Sequence, residues 1–356
     1  MMAPSKNVAP ATRRAERYFE QAGDMLGPKA EGEPVCLYLE TTNRCNLLCT
    51  TCPRTFEDLE PPADMPWSLF TSIVEQFPRI ARVVLHGVGE PMMVRELPEM
   101  IAYLKRRGTY VLFNTNGTLL TRKRGVALIE SGLDELRVSL DAAEPRAFEL
   151  VRGRDMFDRI VGNLKMFAAL QREMKAQSPQ VSLWLTGLKE TIGQLPDFVR
   201  VAAEIGISQV YLQRLVYFPD GQGLARNESA LFERLETQEA SAIHEAQALA
   251  QRLGVTLDAS GATEPEESLK RKAVDNPWTL CRRPWTLMYF TAHGRAIPCC
   301  IAPFSMRGYD SFTLGNATQQ SLREIWNGER YQDFRRALLS DQPPKACASC
   351  GLRWSL

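Results

Sequence analysis

The sequence predicts an α/β chain: a parallel sheet covered by helices, curled into a barrel or partial barrel, with a small cysteine-bearing module after it. Three observations carry this. Six short apolar runs alternate with helical stretches, the pattern of parallel strands buried on both faces, and right-handed crossovers curl such a sheet. At 356 residues the chain is long enough for a full α/β domain plus a smaller unit. The 9 cysteines fall mainly in two groups at opposite ends of the chain, with none between Cys52 and Cys281.

The elements follow in order. Residues 1–34 are polar, with Pro4, Pro10, Pro28 and Pro34, and read as a short helix over 11–23 and then a loop. Strands are expected at 35–39, 82–86, 110–114, 135–140, 181–186 and 209–215. Helices are expected between them at 68–77, 94–107, 120–132, 156–175 and 192–205. Residues 219–233 read as a loop, and 234–253 as a long helix ending before Gly254. The stretch 259–276, rich in Gly, Pro and charge, reads as a linker. Beyond it, 285–289 and 296–299 flank a turn at Ala292-His293-Gly294 and read as a hairpin, with helices at 320–327 and 330–339. The expected organisation is an extension (1–34), a core (35–258), a linker (259–276) and a C-terminal module (277–356).

Lys+Arg 43 against Asp+Glu 42 gives a net charge of +1, which leaves no electrostatic footprint for nucleic acid or an anionic membrane. Lys105-Arg106-Arg107 and Arg122-Lys123-Arg124 read as solvated helix ends. No apolar stretch approaches the roughly 20 residues of a membrane span. The N-terminus lacks an apolar signal-peptide core, so a cytoplasmic location is expected. Thiols stay reduced there, which points the cysteines to metal rather than to disulfides.

Cys45, Cys49 and Cys52 form C-x3-C-x2-C directly after the first strand. Three thiolates on one loop can hold three irons of a [4Fe–4S] cube, which ordinarily takes four Cys, and so leave one iron open to a ligand. Cys36 lies inside the strand. On spacing alone a zinc site is the alternative. In this context the motif resembles the radical S-adenosylmethionine (radical SAM) superfamily. The resemblance implies an open (β/α)6 TIM-like partial barrel with its site at the C-terminal ends of the strands. It implies S-adenosyl-L-methionine (SAM) chelating the open iron and cleaved reductively to methionine and a 5′-deoxyadenosyl radical. That radical abstracts a substrate hydrogen atom, and the electron comes from an external donor such as a flavodoxin or ferredoxin.

The strand ends extend the resemblance. Val88-Gly89-Glu90-Pro91 is similar to the family's GGE motif, with Val88 in place of the first glycine. Gly89, Glu90 and Pro91 are thereby implied to meet the methionine amino group, Glu90 offering a carboxylate to an ammonium. Asn116, Ser139 and Asp141 match positions that contact the carboxylate and ribose of SAM. Asn116 also precedes Gly117 in a turn-forming pair, and Asp141 could instead cap the next helix. Gln213 is a further candidate. Arg152 could clamp the SAM carboxylate or an anionic substrate, or form a surface ion pair. Thr51 stands where the family often has an aromatic residue. His86, Trp184, Tyr211 and Arg214 are rim residues suited to a pocket wall.

Near the C-terminus, Cys281, Gly294 and Cys299 form C-x12-G-x4-C, and Cys347 and Cys350 follow as C-x2-C. These, with Leu314-Gly315-Asn316 and the run 321–328, resemble the SPASM/twitch extensions that hold auxiliary clusters. The resemblance implies one auxiliary [4Fe–4S] cluster on Cys281, Cys299, Cys347 and Cys350, since only six residues follow Cys350. A structural zinc ribbon is the alternative. Cys300 is left as a fifth thiol: a ligand in place of Cys299, a catalytic hydrogen-atom donor, or a buried small residue.

The twitch resemblance implies oxidation of a small polar metabolite, with the auxiliary cluster taking an electron from the substrate radical. Two alternatives stay open. One is redox-neutral epimerisation or rearrangement, with Cys300 or Cys36 quenching the radical. The other is modification of a ribosomal peptide. The 34 residues before Cys36's strand are short for a peptide-recognition domain, so a separate partner would supply recognition. The 3 histidines offer no evident His-based acid/base pair.

Overall fold

Strands that are apolar on both faces need cover on both, and the fold supplies it. The computed structural model describes residues 26–215, 226–260, 264–270, 275–305 and 310–348; the helix expected over 11–23 lies outside them. Strands β1 (Cys36–Leu39), β2 (Arg82–Leu85), β3 (Tyr110–Thr115), β4 (Glu135–Ser139), β5 (Gln180–Gly187) and β6 (Gln209–Arg214) pair in chain order, all parallel. A strand not anticipated, β7 (Thr256–Ala259), adds parallel to β6. Leu37, Leu39, Val83, Leu85, Val111 and Phe113 belong to the large core under the helices. Cys36, Tyr38, Val84 and Leu112 alternate with them and form a second cluster on the concave side, as the two-residue strand period requires.

The outer layer consists of α1 (Trp67–Glu75), α2 (Leu97–Arg106), α3 (Arg122–Glu130), α4 (Pro145–Arg152), α5 (Phe157–Glu173), α6 (Leu195–Ile205) and α7 (Thr237–Leu253). In α6, Leu195, Phe198, Val199, Ala202 and Ile205 recur at helical spacing and are all buried. Helix α4 escaped the sequence reading. It is short, and Pro145 opens it, a placement where the missing N–H is harmless.

The expected hairpin is present as β8 (Leu287–Phe290) and β9 (Arg295–Ile297), antiparallel to each other, with β10 (Gly315–Asn316) beyond. It does not stand apart from the core. Strand β8 pairs parallel with β1, so one sheet runs β10-β9-β8-β1-β2-β3-β4-β5-β6-β7 through both expected domains. This covers the edge that β1 would otherwise expose. Short helices α8 (Arg283–Thr286), α9 (Ala302–Ser305), α10 (Leu322–Trp326), α11 (Glu329–Leu338) and α12 (Lys345–Ala348) complete the C-terminal part. That part also grips the segment before β1: Trp285 and Trp326 donate their indole N–H groups to the carbonyls of Gly27 and Gly32, each at 2.7 Å. No described helix is long and apolar enough to cross a membrane.

Candidate active site

The cysteine loop after β1 is held from both sides. Leu48 and Thr50 donate their backbone N–H groups to the carbonyls of Arg152 (3.2 Å) and Val151 (2.9 Å), in the last turn of α4. Opposite, Glu90 N–H donates to the Arg44 carbonyl at 2.8 Å. A Cβ on Gly89 would stand 2.2 Å from the Thr42 carbonyl oxygen, so the close approach of these two loops requires glycine. Glu40, fully buried beyond β1, accepts from Val88 N–H (2.9 Å), Tyr289 O–H (3.1 Å) and Ala292 N–H (3.2 Å). One carboxylate thus ties β1 to the β2 loop and to the C-terminal hairpin.

At the C-terminal ends of the strands the chain surrounds about 1380 Å³ of empty space, its open mouth included. Cys45, Cys49 and Cys52 line it. Gly89, Glu90, Asn116, Ser139, Asp141 and Gln213, predicted from separate strand ends, converge on the same space, and Arg152 reaches it from α4. His86, Trp184, Tyr211 and Arg214 are also in its wall. Pro91 is not: it is buried and opens the turn Pro91–Met93, where a residue without an N–H is at home. A second space, of about 760 Å³, lies by the start of β5 and carries no titratable side chain.

The polar residues around the thiols are arranged for negative charge. Asp141, at φ +60°, accepts from Thr186 N–H (2.7 Å) and pairs with Arg152 Nη2 at 2.6 Å. Both of its oxygens are occupied, and the N-cap position of α4 is taken by Glu144, so Asp141 is not the helix cap. Arg152 is no surface pair either, because its side chain is only 11% exposed. Its Nη1 lies 3.6 Å from Cys49 Sγ, and its buried Nε has no hydrogen-bond partner. Asn116 Nδ2 donates to Asn46 Oδ1 (2.8 Å) and lies 3.8 Å from Cys45 Sγ. Burial, aided by neighbouring Glu90 and Cys49, raises the Cys45 thiol, and burial pushes Cys52 up to about 12. Iron reverses this, since a coordinating thiol is deprotonated. Burial would lower Arg152, but Asp141 and Cys49 raise it. The donor set therefore suits a thiolate-held cluster with an anionic ligand beside it.

Glu90 is raised by burial and steadied by three donors: Asn116 N–H (2.7 Å), Thr115 O–H (2.7 Å) and Met92 N–H (3.0 Å). A carboxylate has about four lone-pair directions, so one is left for an ammonium.

Cys300 lines the cavity, with Ile301 and Phe304, whereas Cys299 does not. Arg283 Nη1 donates to Cys300 Sγ at 2.9 Å. Burial would lower Arg283, but Cys300, Tyr38, Cys299 and Cys281 hold it well above its usual value. Cys347, on α12, packs with Cys281 against the large core, and Cys350 lies outside the described residues. Cys36 is fully buried in β1, its thiol pushed up to about 12 by that burial. Among the described residues no three His, Cys, Asp or Glu side chains close around a position for a single metal ion.

A family model described as the radical SAM superfamily matches residues 39–202, and a second, the SPASM iron-sulfur cluster-binding domain, matches residues 281–351. The chain belongs to the radical SAM superfamily. It is a radical SAM enzyme with a C-terminal SPASM domain, and its cofactors are SAM and [4Fe–4S] clusters. The enzyme is 26% identical over 335 residues to the tungsten-containing aldehyde ferredoxin oxidoreductase cofactor-modifying protein of Pyrococcus furiosus, covering 89% of this chain and 87% of that one. It is 25% identical over 320 residues to the PqqA peptide cyclase of Gluconobacter oxydans, covering 89% and 82%. Streptococcus suis SuiB bound to precursor peptide SuiA has the same fold, with a TM-score of 0.67 at 15% identity over 99% of this chain and 83% of that one.

Two charged wall residues went unremarked in the sequence, Arg137 and Arg283. For Arg137 a signal existed: it lies two residues before Ser139 on β4, so it shares that residue's face. Arg283 had none, because only the nonlocal pairing of β8 with β1 brings it inward.

Proposed function

We propose that this enzyme modifies a peptide by radical chemistry. The observation that carries the reading is similarity to a peptide cyclase over most of both chains. A site at the strand ends that opens to solvent is consistent with it. Dehydrogenation of a small polar metabolite, the first expectation from the sequence, has no such support.

In this reading Cys45, Cys49 and Cys52 hold the SAM-binding cluster, and Cys281, Cys299, Cys347 and Cys350 the auxiliary one. SAM bound at the first cluster supplies the 5′-deoxyadenosyl radical that takes a hydrogen atom from the substrate. Glu90 accepts the methionine ammonium on its remaining lone pair, beside Gly89. Asn116, Ser139 and Gln213 supply polar contacts from three strand ends. The Asp141–Arg152 pair fixes the cation that faces Cys49. Cys300, turned to the cavity and held by Arg283, is a thiol within reach of the substrate rather than a cluster ligand.

The test uses two fractions of a perdeuterated cell extract, peptides and metabolites, each incubated anaerobically with enzyme, SAM and a reductant. Deuterium should enter 5′-deoxyadenosine with the peptide fraction and vanish when that fraction is first digested with proteases. Label drawn only from the metabolite fraction would return the substrate to the small-molecule class.

A further inference from the structure

The floor of the cavity holds an arginine that is fixed on one side and open on the other. Arg137 lies deeper in the barrel than Ser139 on the same strand, and it lines the cavity. Its Nε donates to Glu135 Oε1 at 2.6 Å, while Tyr110 O–H donates to Glu135 Oε2 at 3.3 Å. Its guanidinium lies 4.7 Å from the centroid of the Trp184 ring, which in turn stacks on Tyr211 at 4.0 Å. One edge and one face of the group are therefore immobilised. Nη1 and Nη2 have no hydrogen-bond partner among the described residues.

Among the described residues no carboxylate pairs with them. The two acids in the cavity wall are engaged, Glu90 by three donors and Asp141 by Arg152 and Thr186. The floor is cationic besides: burial, then Arg137 and Arg283, holds His86 down to about 4 and so keeps it neutral. A guanidinium whose side chain is 16% exposed, with two free, coplanar donors, matches the two oxygens of a carboxylate, and its rigidity lowers the entropy lost on binding.

We infer that Arg137, clamped by Glu135 and Trp184, reads a carboxylate on the substrate, either an acidic side chain or a peptide C-terminus. The inference deepens the peptide reading above and rests on it.

The experiment is equilibrium dialysis of the reconstituted holoenzyme with SAM and without reductant, so that nothing turns over. The probes are acetyl-Ala-Glu-Ala-amide, acetyl-Ala-Gln-Ala-amide, acetyl-Ala-Ala-Ala with a free C-terminus, and glutarate. At least one carboxylate-bearing peptide should be retained about tenfold better than the capped Gln peptide, and which one identifies the source of the carboxylate. The preference should disappear in Arg137→Gln and persist in part in Arg137→Lys. Should Arg137→Gln misfold with Glu135 left unpaired, the charge-balanced double variant Glu135→Gln/Arg137→Gln carries the same test, with iron content and circular dichroism reporting the fold. Equal retention of the Glu, Gln and free-terminus peptides overturns the carboxylate site and leaves the peptide reading standing. Arg137-dependent retention of glutarate with no peptide retained does the reverse. A preference that survives in both variants, a loss of SAM in place of peptide, or no probe retained at all overturns the inference.

Discussion

Glu40 is the side chain on which the two halves of the site meet, and its surroundings make it sensitive to pH. Burial pushes its carboxyl from 4.5 up to about 7, against the pull of the hydrogen bonds from Val88, Ala292 and Tyr289. The folded protein then holds a proton that the unfolded chain releases more readily. The resulting stability is complete below about pH 4.5 and is lost as pH rises through about 7. A loss of the order of 3 kcal/mol is expected. The urea midpoint of the metal-free protein should therefore fall between about pH 5 and pH 8, and Glu40→Gln should flatten that fall. Parallel curves for the two proteins would show that Glu40 does not titrate this way. A second residue is constrained by space alone. Gly89→Ala puts a methyl 2.2 Å from the Thr42 carbonyl oxygen and 2.7 Å from that of Arg44, both backbone and neither able to swing aside. Destabilisation of about 2 kcal/mol or more is expected, read from the same midpoints, with iron uptake by the loop reduced. Most of the wall was legible residue by residue because strand ends converge in any parallel barrel. Pro91 is part of the motif text without lining the cavity.

The strands and the long helices were legible because each carries its own period. What escaped was either too short or nonlocal. Strand β7 is half exposed over four residues and shows no apolar run. Helix α4 is eight residues long and begins with proline. The pairing of β8 with β1 joins residues about 250 positions apart, and no local pattern encodes such a register. That pairing nonetheless decides whether the core can stand alone. Residues Cys36–Leu39 are all buried, and removing the C-terminal part exposes one full edge of β1 together with Tyr38 and the Glu40 carboxylate. A chain ended after Ser260 should therefore associate through that edge. Size-exclusion chromatography of the refolded fragment should show large assemblies, where the full-length chain runs as a defined species. A well-behaved monomer would mean that β8 is an accessory and not part of the core sheet's stability.

Taken whole, the molecule sets the three loop thiols and the C-terminal Cys300 in the wall of one cavity, and the hairpin strand that completes the sheet pairs the C-terminal part to the core beside it. Cys299 and Cys300 are neighbours in sequence but face different ways: Cys300 looks into the cavity under Arg283, and Cys299 does not line it. The sequence alone left open which of them ligates the auxiliary cluster, because spacing cannot tell one residue from the next. Metal content separates them. The anaerobically reconstituted wild type should hold about eight irons and eight sulfides, two cubes' worth. The triple variant Cys45→Ala/Cys49→Ala/Cys52→Ala should keep about four of each, all on the C-terminal thiols. Cys299→Ala should lose the auxiliary set while retaining SAM binding. Cys300→Ala should keep both sets, with the cluster EPR little changed, and alter only the fate of the substrate radical: less solvent hydrogen in the product if Cys300 is its donor. Iron lost from Cys300→Ala and kept in Cys299→Ala would exchange the two roles and remove the thiol from the substrate's side. Zinc in place of iron in the triple variant would make the SPASM domain a structural cover, and a redox-neutral reaction would then follow, because no second cluster would be there to take an electron.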